Sequence, residues 1–536
     1  MRLTIPVLSA LLFLAGCDTA RPPPDRDALA RSTMTEPSAA PDSTLASCLA
    51  AIGDPREEPA HDALAYACAM RAAPSDDAAA MADLHLRRLA ELSLQNDGRG
   101  FRDRQLAPGI TLAGSGLPPG HYDFADRYGV TGGAAPGVLP GRGVAMVRFR
   151  PNPGGDAANY PPEGLFVPVA LTADVETGPD GAFTVRLRAV EGGALSAEGW
   201  ADATGQAYLR LLERTRLNQE SARGFRDPSK LRVHGNGIYL IEPYDPDRIP
   251  LLMIHGLRSN PSIWRDLTLA VMDDPDLHAR FQVWHAFYPT GLPPFYIAAK
   301  ARERLRGLVA RLDPSGTDMA HRHIAVIGHS MGGIVTRSLV TNDAGALWSR
   351  TFTVPPQSLP VGEKRRQDFI DILTLDHEPQ IGFVGFLNTP HRGSGSAEGL
   401  IGRIAASMVM LPSSFRTIFT DDPNYLAYTT PEMREFLMDG GTTSVQALSP
   451  RHPLLRELAE LPLAPGVTAV SVIGVRRGAA CAAMPGCNAT DGVVSYDSAR
   501  LPQGKELVIQ SGHGGYAAPE AIRFLMTELR SWSDGL

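Results

Sequence analysis

The stretch from His323 to Gly333, HIAVIGHSMGG, constrains the fold of this chain more than any other. An apolar run, Ile324 to Ile327, leads into Gly328-His329-Ser330-Met331-Gly332, and Gly333 and more apolar residues follow. This is the pattern of a buried strand, a tight turn and a helix, with a serine at the apex. The glycines flanking Ser330 leave room for a strained turn and for close approach of strand and helix. Such a turn lifts the serine hydroxyl clear of the sheet edge, where a base can reach it. The competing reading is a glycine-rich turn with an incidental serine, since a bare G-x-S-x-G arises often by chance. The strand before it and the helix after it favour the nucleophile.

The chain has 536 residues, 43% hydrophobic and 20% charged, enough for a sizeable core and a prior of roughly three domains. A net charge of −7 gives no basic footprint, so no nucleic-acid partner is expected. At the N-terminus Arg2 precedes an apolar run from Ile5 to Leu14, followed by Leu14-Ala15-Gly16-Cys17. The run is too short to span a bilayer and ends in small residues, as a secretory signal does. The L-A-G-C ending resembles the lipobox of bacterial lipoproteins. That resemblance implies a signal peptide over residues 1–16, cleavage before Cys17, lipidation of Cys17, and attachment to a bacterial membrane on its periplasmic face. Asp18 occupies the position that favours the inner membrane in enteric bacteria, and both membranes stay open. Of the other four cysteines, Cys48 and Cys68 form one local pair and Cys481 and Cys487 another. Export permits disulfides, and the pairs Cys48–Cys68 and Cys481–Cys487 are favoured because each closes a short loop. Buried free thiols stay open as the alternative for Cys48 and Cys68.

Residues 17–44 are rich in Pro, Ala, Ser, Thr and Asp and read as a disordered tether. Residues 45–107 read as a helical module: Leu45–Ala51, Ala60–Arg71, and Ala78–Leu94 with Asp76 as N-cap. Residues 108–236 read as a β-rich module, with strands at Val144–Phe149, Leu165–Val175 and Phe183–Ala189 and a helix over Ala201–Leu217. Neither module offers a chemistry: the helical one reads as a spacer or docking surface, and structural support is the expectation for the β-rich one. From residue 237 to 536, short apolar strands alternate with helical segments. Strands are expected at Ile238–Ile241, Leu251–Ile254 (joined to the first by a Tyr244–Arg248 turn), Phe281–Tyr288, Ile324–Ile327, Ile381–Leu387, Val467–Ile473 and Glu506–Ile509. Helices are expected at Ile297–Leu312, Gly333–Val340 and Ala518–Trp532. This rhythm predicts an α/β fold with a doubly wound, mostly parallel sheet covered on both faces.

Three further motifs surround the serine. His255-Gly256-Leu257 follows the Leu251–Ile254 strand; Asp491-Gly492-Val493-Val494 follows the Val467–Ile473 strand; Ser511-Gly512-His513 follows the last strand. With G-H-S-M-G, these resemble the α/β-hydrolase family, in particular bacterial lipases and esterases, over a little more than half the chain. The family order of nucleophile, acid and base is obeyed by Ser330, Asp491 and His513. The resemblance implies Ser330 as nucleophile, His513 as base and Asp491 as its orienting acid. It implies the backbone N–H groups of Leu257 and Met331 as the oxyanion hole. It also implies an inserted lid, for which the apolar stretch of about 398–419, Glu398 to Phe419, is the candidate; a core helix of the cap is the alternative for the same stretch.

Other residues read less sharply. His329 would point along the elbow and is a poor base. His391, in Asn388-Thr389-Pro390-His391-Arg392-Gly393-Ser394, reads as part of a rigid loop bordering the pocket. Asp371, Asp376 and Asp497 are weaker acids, and His255 reads as a loop buttress. Thr341–Glu378 reads as a second insertion, and Trp264 and Trp284 as packing residues. Some secreted lipases carry a calcium-binding Asp two residues beyond the base. Gly515 stands there, so no metal and no cofactor are expected. The expected activity is serine-dependent hydrolysis of carboxylic esters, with an ester or lipid as substrate. An acyltransferase or thioesterase with the same residues, and a non-catalytic envelope-binding lipoprotein, are the alternatives.

Overall fold

A computed structural model describes residues 59–71, 75–128, 137–152, 159–179, 182–192, 195–227, 237–395, 423–438, 444–476 and 489–536. Cys17, Cys48, Cys481, Cys487, the helix expected at Leu45–Ala51 and the 398–419 segment lie outside these residues. Among the described residues no helix is long and apolar enough to cross a membrane.

The first body is a six-stranded sheet with two helices on one face. Helices α1 (Pro59–Arg71) and α2 (Asp76–Ser93) precede strands β1 (Arg104–Ala107), β2 (Ile110–Ala113), β3 (His121–Phe124), β4 (Val144–Arg150), β5 (Leu165–Thr177) and β6 (Phe183–Glu191). The sheet order is β1-β2-β6-β5-β4-β3, and only β2 and β6 run parallel. β6 alternates: Phe183, Val185 and Leu187 are buried, while Arg186 and Arg188 face water. The buried row packs with Tyr66, Leu86 and Leu89 of the two helices, and the Tyr66 hydroxyl donates to the Ala173 carbonyl at 2.8 Å. The helical and β-rich segments are therefore not separate modules with a boundary at residue 107. β1 is already part of the sheet, because neither an amphipathic helix pair nor a half-buried sheet can cover its apolar face alone. Strands β1 to β3 were not expected; four residues each are too few to show a period. The cap of α2 is Ser75, whose Oγ accepts from the Ala78 N–H, rather than Asp76. The single helix expected over Ala201–Leu217 is two, α3 (Thr204–Arg214) and α4 (Leu217–Arg226).

The second body is a seven-stranded sheet: β7 (Gly237–Leu240), β8 (Ile249–Ile254), β9 (Phe281–Phe287), β10 (Ile324–His329), β11 (Ile381–Leu387), β12 (Thr468–Gly474) and β13 (Lys505–Ile509). Its order is β13-β12-β11-β10-β8-β9-β7, and all strands run parallel except edge strand β7. β7 and β8 are not the turn-linked neighbours their spacing suggested; β9 lies between them. Both faces are covered. Ile324 and Val326 of β10 pack on one side with helices α6 (Pro294–Leu312) and α7 (Met331–Leu339). Ala325 and Ile327 pack on the other with α5 (Arg265–Met272) and α8 (Pro519–Ser533). Burial on both faces is why these strands read as continuous apolar runs.

The two bodies share a seam. Ala203 and Ala207, at and in α3, pack on Val147 of the first sheet, whereas Tyr208 and Leu211 of the same helix enter the second body's core beside Trp264 and Leu267. Beneath α3 lies a buried ionic group. His278 Nε2 is 2.9 Å from Glu242 Oε2, Arg248 Nη2 is 2.9 Å from the same oxygen, and His278 Nδ1 is 3.9 Å from Asp202 Oδ2. Burial pushes the Glu242 carboxyl up, but the Arg248 charge and the contact with His278 outweigh it and hold the carboxyl near 2.

Candidate active site

The site assembles at the ends of five parallel strands. β10 runs up to His329, and Ser330 follows as the residue capping α7, with φ 54° and ψ −123°. A positive φ at a non-glycine residue is a strained conformation that persists only where its surroundings fix it. Here the Ser330 N–H donates to the Leu387 carbonyl at 2.9 Å, and its own carbonyl accepts the Gly333 N–H at 2.9 Å. The helix passes so close to β8 that a Cβ on Gly332 would collide with the Ile254 and His255 carbonyl oxygens. That requirement selects glycine in the pentad.

His513, in the loop after β13, lies against the serine: its Nε2 is 2.9 Å from Ser330 Oγ. Its Nδ1 is 2.7 Å from Asp491 Oδ2. Asp491 is 1% exposed, and its second oxygen accepts the Val493 and Val494 N–H groups, each at 2.7 Å. Those two bonds fix the carboxylate, leaving Oδ2 aimed at the imidazole. The three residues read from the sequence are thus brought into one hydrogen-bonded chain. Asp371, Asp376 and Asp497 are exposed, and Asp371 accepts from the Gln367 amide at 2.7 Å on an outer helix.

The His255–Leu257 turn abuts the serine, since a Cβ on Gly256 would stand 2.9 Å from Ser330 Cβ. Met331 is the first residue of α7, where backbone N–H groups have no intrahelical acceptor. The turn is held from behind. The His255 ring stacks on Tyr288 at 4.3 Å, and the Tyr288 hydroxyl donates to the His255 carbonyl. Burial pushes the His255 imidazole down to about 4, so it is neutral at physiological pH and acts as packing, as its sequence position suggested.

Two residues emerge that the sequence reading did not single out for this role. Asn388 follows β11 with φ 48° and is 2% exposed. Its Oδ1 accepts the Gly474 N–H at 2.7 Å and its Nδ2 donates to the His513 carbonyl at 3.0 Å. His329 Nε2 donates to the same carbonyl at 2.9 Å. The only signal in the sequence was an asparagine at a strand end, a residue type that tolerates positive φ. His391 is fully buried against Phe386, 4.9 Å between rings, and reads as loop packing as expected.

Two groups of potential metal ligands occur among the described residues, and both are tied internally. His85 Nδ1 bonds Asp62 at 2.7 Å in the first, and Asp313 accepts the Thr317 and Asp318 N–H groups in the second.

No protein-family model and no curated protein matches the chain. Solved structures are similar to part of it. A mature Bacillus licheniformis lipase aligns at 16% identity over 55% of this chain and 99% of its own, with a TM-score of 0.33. A carboxylesterase of the thaumarchaeon Nitrososphaera gargenis aligns at 14% over 56% of this chain and 97% of its own, with a TM-score of 0.30. A metagenomic carboxyl esterase aligns at 16% over 55% and 78%, with a TM-score of 0.29.

Proposed function

We propose that the second body is an α/β-hydrolase and that the protein hydrolyses carboxylic esters through an acyl-enzyme on Ser330. The observation that carries this reading is the His513 imidazole bridging Ser330 Oγ at 2.9 Å and Asp491 Oδ2 at 2.7 Å. In this mechanism Ser330 Oγ attacks the ester carbonyl carbon while His513 Nε2 takes the hydroxyl proton. The carbonyl oxygen becomes an oxyanion facing the N–H groups of Leu257 and Met331, where each donor is worth on the order of 3 kcal/mol. Collapse expels the alcohol, which receives the proton from His513. Water then repeats the sequence on the acyl-enzyme, giving up its proton to His513 and releasing the acid and Ser330. Asp491 stabilises the imidazolium at both stages. A fluorophosphonate probe tests the reading: it should modify Ser330 in the intact protein, and a chain that stays unlabelled is not this enzyme.

We further propose that the chain is exported and tethered through a lipidated Cys17. The L-A-G-C ending of its apolar N-terminal run supports this, and the disulfide bond at Cys68 fits an oxidising compartment. Cys17→Ser should move the protein from the membrane to the soluble fraction; an unchanged membrane fraction would refute the anchor.

A further inference from the structure

The base of the proposed relay sits in a poor place for precision. His513 lies between Gly512 and Gly514 on an edge loop, and its side chain is 23% exposed. Its partners are set more firmly: Ser330 by the elbow and Asp491 by two amides. A glycine-flanked loop has several conformations to choose from, and a shift of about 1 Å in a reacting group is enough to cost a large share of the rate.

We infer that Asn388 and His329 are positioning residues that together latch the His513 backbone and thereby hold its imidazole between Ser330 and Asp491. Two neighbouring strands each send one side chain to the same oxygen. Asn388 Nδ2, from the end of β11, meets the His513 carbonyl at 3.0 Å; His329 Nε2, the last residue of β10, meets it at 2.9 Å. Neither arm is free to wander. The Asn388 N–H donates to the Val472 carbonyl at 3.0 Å, while its Oδ1 takes the Gly474 N–H at 2.7 Å, so one residue joins the ends of β11 and β12 to the loop beyond β13. Its backbone is held at a φ of 48°, a conformation asparagine tolerates. His329 is wedged against Tyr516, with ring centroids 4.7 Å apart.

The chemistry of the carbonyl fixes the tautomer. It can only accept, so His329 carries its proton on Nε2 and leaves Nδ1 bare. Burial, and then the neighbouring His513, push the His329 imidazole down to about 3. It therefore stays neutral at 4.9 Å from His513, where a second positive charge would oppose formation of the imidazolium. His329 is thus a donor to the base's backbone and takes no proton from Ser330.

This inference rests on the reading of Ser330, Asp491 and His513 as a proton relay, and its test separates the two. Asn388→Asp keeps the shape, the tolerance for positive φ and the bond to Gly474, but removes the donor to His513. His329→Phe keeps a ring and removes the donor; His329→Gln offers an N–H in its place. Two quantities are read: steady-state kinetics on a p-nitrophenyl ester, and the downfield proton signal of the His513 Nδ1–H bond to Asp491. Loss of one hydrogen bond should lower kcat by about tenfold in Asn388→Asp and His329→Phe, with KM unchanged. The downfield signal should broaden or vanish, and His329→Gln should restore part of both. Asn388→Asp also buries a carboxylate against a carbonyl and should lower the melting temperature, so the His329 pair, expected at an unchanged melting temperature, is the stability control. A role in stability alone would instead lower the melting temperature and leave the signal and kcat as they are, and that result overturns the latch. If the wild-type protein turns over no ester, the functional reading fails. The proton signal still decides the latch, because it depends only on the His513–Asp491 bond.

Discussion

The two sheets of this protein are nearly equal in strand number and opposite in what they can do. In the six-stranded sheet all but one neighbouring pair runs antiparallel, so strand ends are divided between both edges. In the seven-stranded sheet all but one strand runs parallel, so β8, β10, β11, β12 and β13 deliver their following loops to the same edge. Leu257, Ser330, Asn388, Asp491 and His513 all come from those loops. Parallel packing thus collects side chains distant in sequence at one rim, the arrangement by which open α/β sheets build their sites. The antiparallel sheet spends one face on two helices; its other face packs on α3 around Val147 and meets water further along, where Arg186 and Glu176 pair across strands at 2.9 Å. It offers a platform, and through α3 it offers side chains to its neighbour's core.

The sharpest test of this contrast concerns the rim. His513→Ala should reduce ester turnover on the order of 10⁴-fold or more while leaving the fold intact, as measured by p-nitrophenyl ester hydrolysis and circular dichroism. Unchanged turnover would mean that the rim does not hold the base.

The seam comes next. Tyr208 is 1% exposed and belongs by sequence to the first body but by packing to the second. Tyr208→Ala should cost about 3 kcal/mol or more in urea unfolding. If the bodies unfold together in the wild-type chain, the variant should begin to separate their transitions. A small loss in a transition that stays single would show that α3 is not what couples them.

A third difference between the bodies is their acid response. Burial pushes the imidazoles of His255, His285, His329 and His452, all in the second body, down to about 4, 3, 3 and 3 from an ordinary 6.5. The unfolded chain binds these protons at higher pH than the folded one. The stability they contribute is therefore complete above pH 6.5 and falls as pH drops, by about 1.4 kcal/mol per histidine at pH 5.5. Asp83 in the first body has the opposite sign: burial raises its carboxyl to about 6, so the folded form takes up the proton first and gains stability below that value. Asp273 in the second body, also raised to about 6, offsets part of the histidine loss. Amide exchange at pH 7 and pH 5 should show β8 to β12 losing protection while β4 to β6 hold theirs. Equal losses in both sheets would remove the distinction.

Much of this was legible from local pattern. β11 was read at its observed ends, and β4 to β6 were placed by their apolar, β-branched runs between glycine and proline clusters. The serine turn and the proposed acid and base were legible because each is a short motif bound to a strand end, and their order along the chain is itself a signal. Less legible was whatever depended on which strand lies beside which. β7 and β8 are consecutive, yet β9 separates them, and nothing in their residues says so.

The sequence by itself determined the parallel sheet, the strained serine turn and the three residues of the proposed relay. Periodicity, glycine spacing and motif order are local properties that a linear chain carries openly. The tertiary structure alone decided that α1 and α2 share a core with the first sheet, that α3 joins the two bodies, and that Asn388 and His329 converge on one carbonyl. Ser330 and His513 are 183 residues apart, and Asn388 and His513 are 125 apart. Contacts at such separations are set by strand order and the packing of whole faces, which no window of sequence contains.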